Sequence, residues 1–94
     1  MTQQDIRTKL VHAGERRGIP DAQPVATPIY ASATFTYDSI AEIDQVFAGE
    51  KQGFIYTRYG NPTTAALEEA IRAVEEGATA CAYATGMAAI HAAL

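Results

Sequence analysis

Ala82-Tyr83-Ala84-Thr85-Gly86-Met87-Ala88-Ala89-Ile90 decides how this chain reads, because a strand-like run passes there through a glycine turn into a helix-like run. Upstream, residues 80–84 are small and apolar and follow Gly77, the pattern of a buried strand in a parallel sheet. Downstream, residues 87–94 are rich in strong helix formers. Thr85 and Gly86 then stand at a helix N-terminus, where unpaired N–H groups and the helix dipole favour a phosphate. The same pattern also serves as a plain structural connection in α/β proteins, so a phosphorylated ligand is one of two readings at this point.

A second segment, Phe54-Ile55-Tyr56-Thr57-Arg58-Tyr59-Gly60-Asn61-Pro62-Thr63-Thr64, sets a phenol, a guanidinium and another phenol just ahead of a helix start. Arginine offers a planar fork of donors that suits phosphate, and tyrosine adds an O–H beside it. In an extended backbone Tyr56 and Arg58 project to the same face and form a two-pronged anion clamp. The competing reading is an edge strand with a core-side aromatic and a surface arginine.

Composition narrows the classes. The 94 residues make at most one small domain. A formal net charge of -4 with a pI near 4.9 leaves no basic stripe for nucleic acid. The one cysteine, Cys81, lies in the apolar run, so it forms no intrachain disulfide and is expected as a buried small hydrophobe in a reducing compartment. The first residues are polar, no apolar run reaches membrane-spanning length, and a cytoplasmic location is expected.

Along the chain, residues 1–37 hold three of the four prolines, Pro20, Pro24 and Pro28, which keep the stretch extended or turning, as an arm. Asp38 or Ser39 caps a helix through about Ala48, with Ser39 and Glu42 in capping-box register, Ile40, Ile43, Val46 and Phe47 on one side, and Gly49 as the stop. Residues 49–53 form a polar, glycine-flanked loop. Asn61 and Pro62 open a second helix through about Glu76, with an apolar stripe of Ala66, Leu67, Ala70, Ile71 and Val74 and Gly77 as its stop. A single core strand, at about residues 79–84, cannot complete a parallel sheet by itself. The expected organisation is α/β and incomplete on its own: an oligomer-contacting arm with one short helix over 1–60, then helix, strand, phosphate turn and helix over 61–94.

Five pieces occur in register with one family: Thr8-Lys9-Leu10-Val11-His12-Ala13-Gly14; Pro24-Val25-Ala26-Thr27-Pro28-Ile29-Tyr30-Ala31-Ser32-Ala33-Thr34-Phe35; Tyr56-Thr57-Arg58-Tyr59-Gly60-Asn61-Pro62-Thr63; Leu67-Glu68; and Gly86-Met87-Ala88-Ala89-Ile90. In these the chain resembles the N-terminal part of the trans-sulfuration group of pyridoxal-phosphate enzymes of cysteine and methionine metabolism. That group includes cystathionine synthases and lyases, methionine γ-lyase and homoserine-ester sulfhydrylases. Thr85 departs from the serine usual in the family but keeps a hydroxyl.

The resemblance implies an aspartate-aminotransferase-like (fold type I) large domain beginning here, and β or γ elimination or γ replacement on sulfur amino acids or O-activated homoserine. It implies pyridoxal 5′-phosphate as cofactor and a homotetramer of active dimers. Gly86 and Met87 would hold the cofactor phosphate through their backbone N–H groups in their own subunit. Tyr56 and Arg58 would reach the phosphate of the neighbouring subunit's cofactor. Tyr56 would also act as an acid-base group, a task that calls for a cation beside the phenol, which Arg58 would supply; the alternative is that Tyr56 only hydrogen-bonds phosphate.

The family's Schiff-base lysine and pyridinium aspartate come much later than residue 94. Only Lys9 and Lys51 are present, one in the arm and one in the polar loop, so neither is expected to anchor the cofactor aldehyde. The chain is therefore expected to be a fragment of a longer enzyme and inactive alone. A non-catalytic phosphate-binding or assembly module is the alternative. The family's substrate-discriminating positions lie downstream, so the individual substrate is not legible here.

Other residues read blandly. His12 and His91 lack a second ligand at metal spacing, so no metal site is expected. Glu68-Glu69 and Glu75-Glu76 read as a solvated helix face and Tyr83 as core; Tyr30, Phe35 and Tyr37 read as packing of the arm, the alternative under the resemblance being that they line the partner's active-site entrance.

Overall fold

The computed structural model describes residues 5–15 and 21–94; Pro20 lies outside them. The element order is α1 (Ile6–His12), α2 (Ile40–Phe47), α3 (Pro62–Val74) and α4 (Gly86–Ala93). Each helix starts on a side-chain cap. Asp5 accepts from Arg7 N, Ser39 from Glu42 N, Asn61 from Thr63 N and Thr85 from Ala88 N. Ser39, not Asp38, is thus the cap of α2. Its box closes one residue early, since Glu42 Oε2 accepts from Asp38 N at 3.3 Å. α1 falls in the stretch read from sequence as arm.

Two helix ends show the same hydrogen-bond pattern on different residues. After α2, Gly49 N donates to the Val46 carbonyl and Glu50 N to the Gln45 carbonyl, with Gly49 at φ 77°. After α3, Glu76 N donates to Ala73 and Gly77 N to Arg72, and the left-handed position falls on Glu76 at φ 54°. Gly77 therefore follows the reversal instead of making it. Arg72 Nη1 donates to the Gly77 carbonyl at 3.2 Å and ties the end down.

The expected strand at 79–84 is not formed. A strand exists only through a partner's N–H and C=O groups, and among the described residues the sole bridge is an isolated antiparallel one, Thr34 with Tyr56. Instead Glu68 reaches from α3 to accept from Ala82 N at 2.8 Å. Glu68 is thus half-buried and engaged, not a solvated face residue. Cys81 and Tyr83 are exposed rather than core, because no described element covers that segment.

The α/β layering expected from the sequence is accordingly absent among the described residues, which hold four helices and no strand. No helix there packs on another, and no apolar side chain is fully buried. The apolar stripe of α3 forms as expected but stands open at Leu67, Ile71 and Val74. The radius of gyration, 17.9 Å, exceeds the roughly 12 Å of a compact domain of this length.

What order there is concentrates where the arm meets residues 54–63. Phe35 N donates to the Ile55 carbonyl at 2.9 Å and Thr57 N to the Ala33 carbonyl at 2.8 Å. Ring centroids lie 6.4 Å apart for Tyr30 and Phe35 and 6.1 Å apart for Phe35 and Phe54. Tyr37 Oη donates to the Phe54 carbonyl at 2.9 Å. Thr63 Oγ1 accepts from Tyr30 N and donates to the Pro28 carbonyl, each at 2.9 Å, which fastens the arm to the first turn of α3.

Candidate functional site

Tyr56 is fixed by its backbone. The bridge to Thr34 and the flanking hydrogen bonds hold it against the arm, and Thr57 Oγ1 donates to the Ser32 carbonyl. The chain does not stay extended through Arg58, however. Tyr59 N and Gly60 N both donate to the Tyr56 carbonyl, at 2.9 and 3.2 Å, and residues 57–59 form a turn. The same-face argument for Tyr56 and Arg58 therefore fails as geometry while its outcome survives. The turn brings the Arg58 guanidinium to 5.3 Å from the Tyr56 ring centroid.

Both side chains line a cleft of about 430 Å³ with Tyr30, Ala31, Ser32, Ala33 and Thr57. No carboxylate among the described residues pairs with Arg58. Among the described residues no group accepts from its N–H groups.

The second pair of candidate groups lies at the start of α4. Thr85, at φ -142°, turns the chain into the helix and spends its side-chain oxygen on Ala88 N at 3.0 Å, while its carbonyl accepts from Ala89 N at 3.2 Å. The N–H groups of Gly86 and Met87 have no acceptor among the described residues. These are the orphan donors of a helix N-terminus, aligned with the positive end of its dipole. Neither residue lines the cleft that holds Tyr56 and Arg58.

The lysines stand elsewhere. Lys9 is on exposed α1. Lys51 Nζ lies 3.5 Å from Glu42 Oε1 and 5.8 Å from the Tyr37 ring centroid. His12 Nδ1 pairs with Glu15 Oε2 at 2.9 Å. The Tyr83 phenol is pushed above its ordinary value, chiefly by its hydrogen bond with the Cys81 thiol. Among the described residues no three metal-ligating side chains gather, and no helix is long and apolar enough to cross a membrane.

Comparison with known proteins decides the family. The model of the family described as Cys/Met metabolism PLP-dependent enzyme matches residues 7–94. This chain belongs to that family. It is 45% identical over 89 residues to an L-methionine gamma-lyase of Fusobacterium nucleatum subsp. polymorphum, covering 95% of this chain and 22% of the relative. It is 48% identical over 87 residues to a cystathionine gamma-synthase of Mycobacterium bovis, covering 93% and 20%. An L-methionine gamma-lyase of Treponema denticola is 40% identical over 83 residues, covering 88% and 20%. The chain spans about a fifth of the length of these curated relatives. No solved structure matches it.

Pyridoxal 5′-phosphate is the cofactor expected of a member of this family. The chemistry of the donors suits a phosphate in each place: a guanidinium without a carboxylate partner among the described residues beside a phenol, and two backbone N–H groups at a helix start. Lys51 pairs with Glu42, and neither Lys9 nor Lys51 lines the cleft of Tyr56 and Arg58, so the fit concerns the phosphate end alone.

Proposed function

We propose that this chain is the N-terminal part of a pyridoxal-phosphate lyase or transferase of methionine and cysteine metabolism, acting by β or γ elimination or γ replacement on sulfur amino acids or O-activated homoserine. Family membership and relatives named as a γ-lyase and a γ-synthase support this reading. In the whole enzyme, residues 1–60 serve as an oligomer-contacting arm and residues 61–94 begin a fold type I cofactor domain. Residues 79–84 there gain the partner strands they lack here. The assembly is a homotetramer of active dimers, located in the cytoplasm.

The observation that supports the site assignment is that the two sets of donors do not share the Tyr56–Arg58 cleft. Gly86 and Met87 offer N–H groups at a helix start, and Tyr56 and Arg58 line a cleft to which neither belongs. One cofactor phosphate is served by both if Gly86 and Met87 belong to its own subunit while Tyr56 and Arg58 come from the neighbour. The bound cofactor supplies an electron sink that stabilises negative charge on the substrate carbon. Gly86 and Met87 would hold its phosphate through directed backbone donors. Arg58 would neutralise that phosphate with a planar fork, and Tyr56 Oη would either hydrogen-bond it or serve as the acid-base group beside the reacting carbons.

Subunit mixing of the full-length enzyme tests the arrangement. An Arg58→Ala subunit is combined with one whose Schiff-base lysine is replaced, each being inactive or impaired alone. Across an interface one mixed site per dimer is intact, so activity returns once exchange has been verified. Verified exchange with no recovery contradicts the cross-subunit assignment.

A further inference from the structure

Tyr59 has no part in the reading so far, yet the turn that follows Tyr56 brings it to the same guanidinium. Two backbone donors converge on the Tyr56 carbonyl and fold residue 59 back towards residue 56. The two rings then meet edge to face, centroids 6.4 Å apart at 63°. Arg58 Cζ lies 5.3 Å from the Tyr56 centroid and 5.4 Å from the Tyr59 centroid. The guanidinium thus occupies the corner between two rings. Burial does not account for the placement of the Tyr59 ring, which is 72% exposed.

A guanidinium is attracted through its face to an aromatic ring, and that contact leaves the in-plane N–H groups free for a bidentate anion. A long side chain held this way before binding has less freedom to lose when the anion arrives. Tyr56 alone would leave Arg58 one wall to rest on, whereas two rings at a steep angle restrict it from two sides.

We propose that Tyr59 is a positioning residue for Arg58, holding its guanidinium ready for the cofactor phosphate. The proposal rests on Arg58 being a phosphate ligand, and its test separates the two claims. Pyridoxal 5′-phosphate is titrated calorimetrically into the full-length apoprotein, as wild type, Tyr59→Phe, Tyr59→Leu, Arg58→Ala and the Arg58→Ala/Tyr59→Leu double variant. Tyr59→Leu weakens binding about two- to five-fold, the scale of an exposed cation–π contact. Tyr59→Phe, which keeps the ring, binds like wild type. In the Arg58→Ala background the Leu substitution costs nothing further.

Wild-type affinity of Tyr59→Leu, an equal loss in Tyr59→Phe, or an undiminished loss in the Arg58→Ala background each overturns the positioning role. Should Tyr59→Leu misfold, Tyr59→Met supplies a ring-free side chain under the same criteria. If Arg58→Ala itself binds like wild type, the phosphate assignment of Arg58 fails and takes this inference with it. Weakened Arg58→Ala beside unchanged Tyr59→Leu overturns the inference alone.

Discussion

Asn61 Nδ2 donates to the Tyr30 carbonyl at 2.9 Å, across 31 residues of chain. The same side chain donates to Thr57 Oγ1 at 3.2 Å, and its Oδ1 accepts from Thr63 N at 2.9 Å. One amide therefore caps α3, anchors the arm and braces the turn that carries Tyr56 and Arg58. It is the one buried polar side chain among the described residues, 6% exposed.

Asn61→Ala should destabilise the full-length protein by about 2 kcal/mol or more, from ~1 for the helix cap and ~1 for a lost hydrogen bond that leaves a half-buried carbonyl unpaired. Asn61→Asp keeps the cap acceptor but loses both donors, which separates the two contributions. Urea unfolding reads this as a lower midpoint at unchanged slope. Equal stabilities of Asn61→Ala and wild type would deny the residue its hub role.

The cap of this hub was legible in the sequence, because Asn-Pro before an apolar stripe is a local signal. So were Ser39 and the glycine reversal at Gly49, whose hydrogen bonds span no more than five residues. The link from Asn61 to Tyr30 was not, since nothing local encodes a partner 31 residues away. The strand at 79–84 failed for a related reason. Its apolar pattern records a preference for burial between partner strands, and no described element supplies them. Arg58 meeting Tyr56 was anticipated by the wrong geometry, a strand in place of a turn, and Tyr59 was missed because spacing on an extended chain puts it on the opposite face.

Glu76 takes a left-handed conformation, φ 54°, that Gly49 takes freely at the corresponding position of α2. For a residue with a Cβ that conformation costs about 1–2 kcal/mol. Glu76→Gly should therefore stabilise the protein by about 1 kcal/mol, offset in part by the greater freedom of glycine in the unfolded chain. Gly49→Ala should destabilise it by a similar amount. Thermal unfolding of both variants checks the pair, and a destabilising Glu76→Gly would count against the reversal.

Gly53 sits where a Cβ would collide with the Tyr37 hydroxyl, which donates to the Phe54 carbonyl. Gly53→Ala forces that phenol aside and should cost about 1–3 kcal/mol. Removing the hydroxyl first, as Tyr37→Phe, costs about 1 kcal/mol by itself but should make the added methyl cheaper. Sub-additive losses in the double variant are expected; strict additivity would place the clash elsewhere.

Arg72 donates to Glu69 twice, Nε to Oε2 at 2.8 Å and Nη2 to Oε1 at 2.7 Å. These hydrogen bonds hold the Glu69 carboxyl below its ordinary value of 4.5. A depressed carboxylate contributes stability that is present above its unfolded value and disappears as pH falls through the folded one. Wild type and Glu69→Gln should thus differ slightly at neutral pH and converge in acid. The pair is solvated, so the difference is small and shrinks with salt. A gap that widens on acidification would reverse the assignment.

Arg58 carries the sharpest expectation for the site. Its guanidinium has no carboxylate partner among the described residues, so replacing it breaks no ion pair seen here and leaves a folded protein whose defect is read in cofactor binding. A charge-assisted contact to phosphate is worth roughly 1.5–3 kcal/mol, so Arg58→Ala in the full-length apoprotein should bind pyridoxal 5′-phosphate about 10- to 150-fold more weakly. Arg58→Lys should recover only part of this, because an ammonium keeps the charge but neither the planar fork nor the fit between two rings. Equilibrium dialysis of the three proteins against the cofactor gives the order wild type, Lys, Ala. If Lys equals wild type, charge alone suffices and the corner formed by Tyr56 and Tyr59 has no bearing on the phosphate.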